Sequence, residues 1–158
     1  MKNGYELKIT ANKGEGVFAT RAFLANEIVM IGRIKKNLDK NDSHATQIDE
    51  STYVRHAGLI PKVNHSCSPN CGIQVNETNA HDLVAIKAIA VGEEITFDYA
   101  MRNYIITFFP DNCTCGSKQC RSNITGWKDL PEQKKQEYKG FFAPYLLKLD
   151  EKSKNQPA

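Results

Sequence analysis

Five cysteines fall into two groups whose spacing is typical of a metal site. Cys113, Cys115 and Cys120 share one short polar loop in the pattern C-x-C-x4-C, and Cys67 and Cys71 belong to the stretch VNHSCSPNC. A structural zinc ion takes four tetrahedral ligands, most often thiolates. Because the loop supplies three sulfurs, the spacing predicts a zinc site whose fourth ligand is Cys67 or Cys71.

Clustered thiols have two other uses, as inert buried residues or as redox sensors. The odd number of cysteines argues against a disulfide framework. The N-terminal residues contain no apolar signal segment, and thiols stay reduced inside the cell. We therefore expect an intracellular protein, cytoplasmic if its source is bacterial, with nuclear or host-targeted locations as the alternatives.

Composition predicts one ordinary globular domain. The chain has 158 residues, of which 41% are hydrophobic and 25% are charged, and this length is enough to bury a core without cross-links. A net charge of +3 does not favour nucleic acid, whose binders concentrate basic residues in one patch. No apolar run approaches the roughly 18 residues of a membrane span. We expect neither a nucleic acid nor a membrane as partner.

The elements that must position the cysteines are predicted to be mainly strands. Apolar runs and alternation, broken by Gly and Asn, predict strands over residues 5–9, 16–23, 27–34, 82–89 and 94–99.

The remaining segments are predicted from their polarity and their capping residues. Residues 35–43 are predicted to be a loop, and residues 44–54 favour short strands. Asp129 is expected to cap a helix over residues 131–139 that Gly140 ends. A helical turn or two follows, and the tail from residue 151 is expected to fray.

Three motifs in this order resemble those of the SET-domain protein-lysine methyltransferases that carry a post-SET zinc loop. They are NHSCSPN, GEEITFDY and CTCGSKQC, with KGEGVFAT as a weaker fourth element where the family has Gly-x-Gly. The resemblance covers roughly residues 5–125, and the tail is similar to that of compact, bacterial-type members. It implies a mainly β SET fold, with small curved sheets around a C-terminal pseudoknot and a short helical C-terminal end. The implied division is a SET domain over 1–110, a post-SET zinc loop over 111–126, and a helical extension and tail over 127–158.

The resemblance also implies a set of site residues. In the family the cysteine of NHSC joins the three of the loop, which selects Cys67 as the fourth ligand and leaves Cys71 as a small buried residue. The cofactor would be S-adenosylmethionine, and its implied contacts are Lys13, Gly14, Glu15, Gly16, Asn64, His65 and Tyr99. The family often has a bulky residue where this chain has Glu15, so that contact departs from the family pattern.

Tyr99 is implied to be the catalytic tyrosine, whose hydroxyl would orient the methyl group and the incoming amine. The alternative is a half-buried strand tyrosine. The candidate walls of the substrate channel are Phe97 and Phe108, with Phe109 as the alternative to Phe108. For each of these residues the alternative interpretation is packing in the hydrophobic core.

The implied function is S-adenosylmethionine-dependent methylation of a lysine in a protein substrate such as a histone or histone-like protein. The amine must be neutral to attack, and desolvation beside a positive sulfur would lower its pKa from about 10.4. One alternative is a catalytically inactive SET-type protein-interaction module whose fold is stabilised by zinc. Another is a zinc-ribbon nucleic-acid binder.

Overall fold

The computed structural model describes residues 3–156, and over this range the chain is mainly β. The ten strands assigned there are β1 Tyr5–Ile9, β2 Glu15–Ala19, β3 Ile28–Met30, β4 Ile34–Leu38, β5 Thr46–Gln47, β6 Tyr53–His56, β7 Asn64–His65, β8 Cys71–Val75, β9 His81–Ala85 and β10 Glu94–Phe97. Two helices follow near the C terminus, α1 Glu132–Glu137 and α2 Tyr145–Lys154. The predicted mainly β architecture with a short helical C-terminal end is confirmed.

Strand β10 lies at the centre of the larger sheet, whose order is β1-β2-β10-β8-β9-β3, with β7 also paired to β10. It runs antiparallel to β2 but parallel to β7 and β8. Phe97 lies opposite both His65 and Cys71. This register brings the NHSC motif beside the ITFDY motif, although the two are about 30 residues apart in the chain, which is the adjacency expected of the pseudoknot.

A smaller sheet, in the order β4-β6-β5, lies apart from the central one. The core contains fully buried side chains from the central sheet, and the helical end adds Trp127 and Leu146 to the same cluster. The indole N–H of Trp127 donates to Asp150 at 2.7 Å, which fixes α2 against the segment that follows the zinc loop. No helix within residues 3–156 is both long and apolar enough to cross a bilayer.

Strand predictions were wrong where pairing overrode local composition. The predicted loop at 35–43 begins as strand β4, since Lys35, Lys36 and Asn37 lie exposed on the edge of the smaller sheet while the backbone pairs with β6. The predicted strand at 27–34 ends at Met30. Gly32 lies so close to His81 that a Cβ there would be 2.2 Å from its carbonyl oxygen. Strand β8 was not predicted, whereas short strands within residues 44–54 are confirmed by β5 and the start of β6.

The helical predictions need two corrections. Asp129 does not cap α1. It belongs to a single 3-10 turn, Trp127–Asp129, and Pro131 precedes the helix without a side-chain cap. The tail is not frayed from residue 151, because α2 continues to Lys154; residues 157 and 158 lie outside the described range. Pro131 fixes a backbone angle suited to helix entry, so a proline replaces the expected carboxylate.

Candidate functional site

The four cysteines selected from the family resemblance meet in the structure. The sulfurs of Cys67, Cys113, Cys115 and Cys120 all lie within 4.8 Å of one another. Sulfurs at about 2.3 Å from a tetrahedral zinc ion are roughly 3.8 Å apart, so this donor set fits the metal. Cys71 lies in β8, fully buried, and desolvation raises the pKa of its thiol to about 12.

Backbone groups of the loop support the thiolates. The N–H of Arg121 donates to Cys67 Sγ and that of Ser122 to Cys120 Sγ, each at 3.4 Å. Desolvation raises the pKa of Cys115, but backbone hydrogen bonds at Cys67 and Ser117 and side-chain bonds to neighbouring thiols lower it to about 7 overall. Desolvation raises the pKa of the Cys67 thiol and raises that of Cys113 to about 11, so Cys115 forms the thiolate that binds zinc more readily than these two ligands do.

A cavity of about 350 Å³ lies directly beside the cysteine cluster. One wall is the zinc loop, with Cys113, Thr114 and Cys115, and the opposite side carries β7 and the tyrosine of ITFDY. Among the predicted cofactor contacts, those that line the cavity are Lys13, Asn64, His65 and Tyr99. Gly14, Glu15 and Gly16 do not line it.

The β1–β2 hairpin delivers Lys13 to this cavity. Gly14 has φ +71° and its carbonyl accepts from the N–H of Thr10 at 2.7 Å, which closes the turn. Glu15 points elsewhere, with its carboxylate 3.7 Å from Lys62, although its backbone carbonyl accepts from Asn64. The glycine at position 14 therefore serves the hairpin turn, where a left-handed backbone is needed.

Glu94 anchors the polar side of the cavity, and the sequence motifs alone did not single it out. Its carboxylate pairs with Lys13 Nζ at 2.7 Å and accepts from Asn64 Nδ2 at 2.9 Å. A Cβ at Gly16 would lie 2.7 Å from the same carboxylate and 3.0 Å from that amide. Gly16 is thus required for close approach of these side chains.

The ring of Tyr99 packs among three other aromatic rings. The distances between ring centroids are 4.9 Å to Phe97, 5.3 Å to His65 and 5.9 Å to Phe109. The Tyr99 hydroxyl donates to the Val63 carbonyl at 2.9 Å. Burial raises the pKa of this hydroxyl, so the tyrosine stays protonated.

His65 orients Tyr99 through its backbone. The N–H of Tyr99 donates to His65 Nδ1 at 3.1 Å, and the other ring nitrogen lies 3.3 Å from Cys67 Sγ. Burial lowers the pKa of His65 to about 4, so the ring is neutral. Since Nδ1 accepts, the proton resides on Nε2 and points at the sulfur. One imidazole therefore connects Tyr99 with the metal centre.

The two candidate channel residues occupy different environments. Phe97 is fully buried beside Tyr99. Phe108 is 52% exposed and lines a second, small cavity that Tyr99 also borders. Phe109 lies on the other side, in the 350 Å³ cavity, where its ring meets those of His65 and Tyr99.

Asp98 joins three separate segments and was also not singled out from sequence. Its carboxylate is fully buried and accepts two hydrogen bonds from the guanidinium of Arg121, at 2.7 and 2.9 Å. The hydroxyl of Tyr138 donates to it at 2.8 Å, and the N–H of Ala100 at 3.0 Å. Asp98, which precedes Tyr99, is therefore hydrogen-bonded both to the zinc loop and to the C-terminal helical segment.

Comparisons of the sequence with known proteins identify a family. The family model described as the SET domain matches residues 14–100. The histone-lysine N-methyltransferase ash1 of Drosophila melanogaster is 33% identical over 145 residues, covering 78% of this chain and 6% of that protein. An H3 lysine-4 specific histone-lysine N-methyltransferase of Schizosaccharomyces pombe is 30% identical over 134 residues, covering 69% of this chain and 14% of that protein.

A solved structure gives the same result for the fold. The crystal structure of KRYPTONITE in complex with mCHH DNA, an H3(1–15) peptide and SAH matches with a TM-score of 0.58 and 26% identity. The match covers 76% of this chain and 29% of that one. The chain thus spans a small part of these larger proteins, and the residues that the SET domain model matches include Asn64, His65 and Tyr99 of the cavity lining.

Proposed function

Because the chain belongs to the SET domain family, we propose that it is an S-adenosylmethionine-dependent protein-lysine N-methyltransferase. The observation that carries the proposal is the cavity of about 350 Å³, which lies between Tyr99, the Asn64–His65 pair and the zinc loop. The methyltransferase names of the relatives and the SAH bound by KRYPTONITE support the same reaction and cofactor.

The residues that line the cavity fit a cofactor with both charged and apolar parts. Lys13 and Asn64 offer polar groups held in place by Glu94, and the rings of His65, Tyr99 and Phe109 offer apolar faces. When bound, S-adenosylmethionine would supply an electrophilic methyl group. Gly14, Glu15 and Gly16 would contribute by shaping the hairpin that presents Lys13.

Tyr99 would orient the incoming amine, since its ring is fixed by three aromatic neighbours and its hydroxyl is neutral. Such fixed positioning can supply a large part of a rate enhancement. His65 would hold the backbone of Tyr99, and Phe97 and Phe108 would wall the approach of the lysine side chain. The methyl acceptor would be a lysine of a protein, with histones or histone-like proteins as the substrate class.

Zinc would be structural, held by Cys67, Cys113, Cys115 and Cys120. Four protein ligands leave no open position for catalysis, and the loop they hold forms a wall of the cavity. The proposed division is a SET domain over residues 1–110, a zinc loop over 111–126 and a helical extension over 127–158. We propose an intracellular location, because four thiols must stay reduced to bind the metal.

The first test is calorimetric titration of zinc-replete protein with S-adenosylmethionine, followed by transfer of labelled methyl groups to core histones and to an array of lysine-containing peptides. We expect one binding site and label on lysine. A Tyr99→Phe variant should bind the cofactor with little change and turn over much more slowly.

Two results would count against the proposal. Folded, zinc-loaded protein that does not bind the cofactor would support a zinc-stapled interaction module. Normal turnover by Tyr99→Phe would remove that hydroxyl from the mechanism while leaving the activity itself intact.

A further inference from the structure

Arg102 carries a buried charge that no carboxylate neutralises. The residue is 5% exposed, and its Nε and Nη1 atoms have no hydrogen-bond partner among the described residues. A buried guanidinium without an acceptor is costly, and such groups cluster at functional sites. This arginine therefore needs an explanation beyond packing.

The guanidinium lies against the active-site rings. Its central carbon is 4.7 Å from the centroid of Phe97 and 5.4 Å from that of Tyr99. Arg102 and Tyr99 also border the same small cavity, next to the exposed ring of Phe108. The Tyr145 hydroxyl of α2 donates to the Arg102 carbonyl, so the backbone cannot easily move the charge away.

The titratable groups that face Arg102 leave its charge uncompensated. Two of these groups are His56 on β6 and His81 on β9. Burial is the main cause that lowers their pKa values, and the positive charge of Arg102 is the second. The pKa of His56 falls to about 4, and that of His81 falls well below its ordinary value. Tyr145 is a neutral phenol, since burial raises its pKa. Asp42 borders the small cavity, but its carboxylate is paired with Arg55.

The groups that face Tyr99 from the other side do not supply an anion either. Glu94 is paired with Lys13 at 2.7 Å, and Asp98 with Arg121 at 2.7 Å. Arg102 is thus a net positive charge set directly beneath the tyrosine beside which, under the proposed function, a substrate amine would react.

We propose that Arg102 is a positioning residue that favours the neutral, reactive form of the substrate lysine beside Tyr99. This inference rests on the proposed function. A like charge nearby disfavours the ammonium form, so the amine would pass its proton to solvent on entering the site. Arg102 would also disfavour the positive charge that develops on the lysine nitrogen during methyl transfer. This cost is smaller than the gain from deprotonation, because only part of that charge has formed in the transition state.

The test compares variants that remove this charge with a variant that removes another arginine. Arg102→Met and Arg102→Gln both remove the charge, so that one folded neutral variant is enough. Arg21→Met is the matched control, because Arg21 also stacks on a phenylalanine, 3.9 Å from the Phe23 centroid, but lies away from the cavity.

Two measurements would be made with the most strongly labelled peptide of the array. We expect the acid limb of the kcat profile to move up by about one pH unit in the neutral variants, which lowers turnover about tenfold on that limb. Calorimetry of peptide binding to the SAH complex, in buffers of different ionisation enthalpy, should show less proton release than in wild type. Arg21→Met should behave like wild type in both.

The outcomes separate the two claims. A folded neutral variant whose acid limb and proton release match wild type would overturn the role of Arg102 alone. The same shifts in Arg21→Met would also overturn it, because loss of any arginine stacked on a phenylalanine, rather than the buried charge of Arg102, would then be responsible. A wild-type protein that neither binds S-adenosylmethionine nor labels any peptide would overturn both the proposed function and this inference.

Discussion

Replacing Arg121 by methionine would leave the buried carboxylate of Asp98 without its counterion. Removing one partner of a buried ion pair costs about 3–5 kcal/mol. Tyr138 and Ala100 would continue to donate to the carboxylate at 2.8 and 3.0 Å. We therefore expect a loss of about 3 kcal/mol in the free energy of unfolding, at the lower end of that range.

The loss is large enough to measure by thermal unfolding. For a chain of this size each kcal/mol lowers Tm by about 2–4 °C, so Arg121→Met should lower it by about 6–12 °C. The zinc concentration must be the same in all samples, since metal binding itself stabilises the folded state. A chelator should also remove zinc faster, because loss of the bonds to Asp98 frees residue 121, whose backbone N–H donates to Cys67 Sγ.

Arg55→Met is the matched control. Arg55 pairs with Asp42, and these side chains are 24% and 43% exposed, against 17% and 0% for Arg121 and Asp98. An exposed pair contributes at most about 1 kcal/mol. If Arg121→Met lowered Tm no more than Arg55→Met does, the buried carboxylate would not be the anchor inferred here. An Asp98→Asn/Arg121→Met double variant should recover part of the loss, since no unpaired charge remains.

Other predictions follow from single contacts. Cys67→Ser should release zinc and Cys71→Ser should retain it; metal analysis showing the reverse would refute the ligand assignment. Gly16→Ala should lower Tm, because its Cβ would meet the Glu94 carboxylate at 2.7 Å, and overpacking costs about 1–3 kcal/mol. The pKa of His56 is lowered from 6.5 to about 4 by burial, so the unfolded state binds more protons between these values and stability falls as pH drops from 6.5 to 4. His56→Gln should flatten that part of the stability curve, and an unchanged curve would exclude this histidine as its source.

Three cysteines of the set were predictable from their spacing in one loop, whereas the choice of Cys67 over Cys71 came from the resemblance to the SET-domain family. The structure brings together the same four sulfurs. Glu94 and Asp98 lie within the GEEITFDY motif, yet nothing local distinguishes them from solvent-exposed acids. Their partners are 81 and 23 residues away, and only the folded topology reveals those pairings.

Arg102 and strand β4 show a second limit of prediction from the sequence. An arginine is normally exposed, so a buried one has no sequence signature. The polar residues of β4 suggested a loop for a similar reason. An edge strand exposed to solvent needs only backbone pairing with its neighbour, and backbone pairing leaves no mark on composition.

The central position of β10, between β2 and β8, has a consequence for how the chain folds during synthesis. The β1–β2 hairpin is local and can close as soon as it emerges, but its inner edge has no partner until residues 94–97 are made. Strand β7 and the edge of β8 that does not pair with β9 wait for the same four residues. Unpaired edges are prone to association with other chains. Nascent chains arrested before residue 94 should therefore be protease-sensitive and dependent on chaperones, and protection should appear only after β10 has left the ribosome.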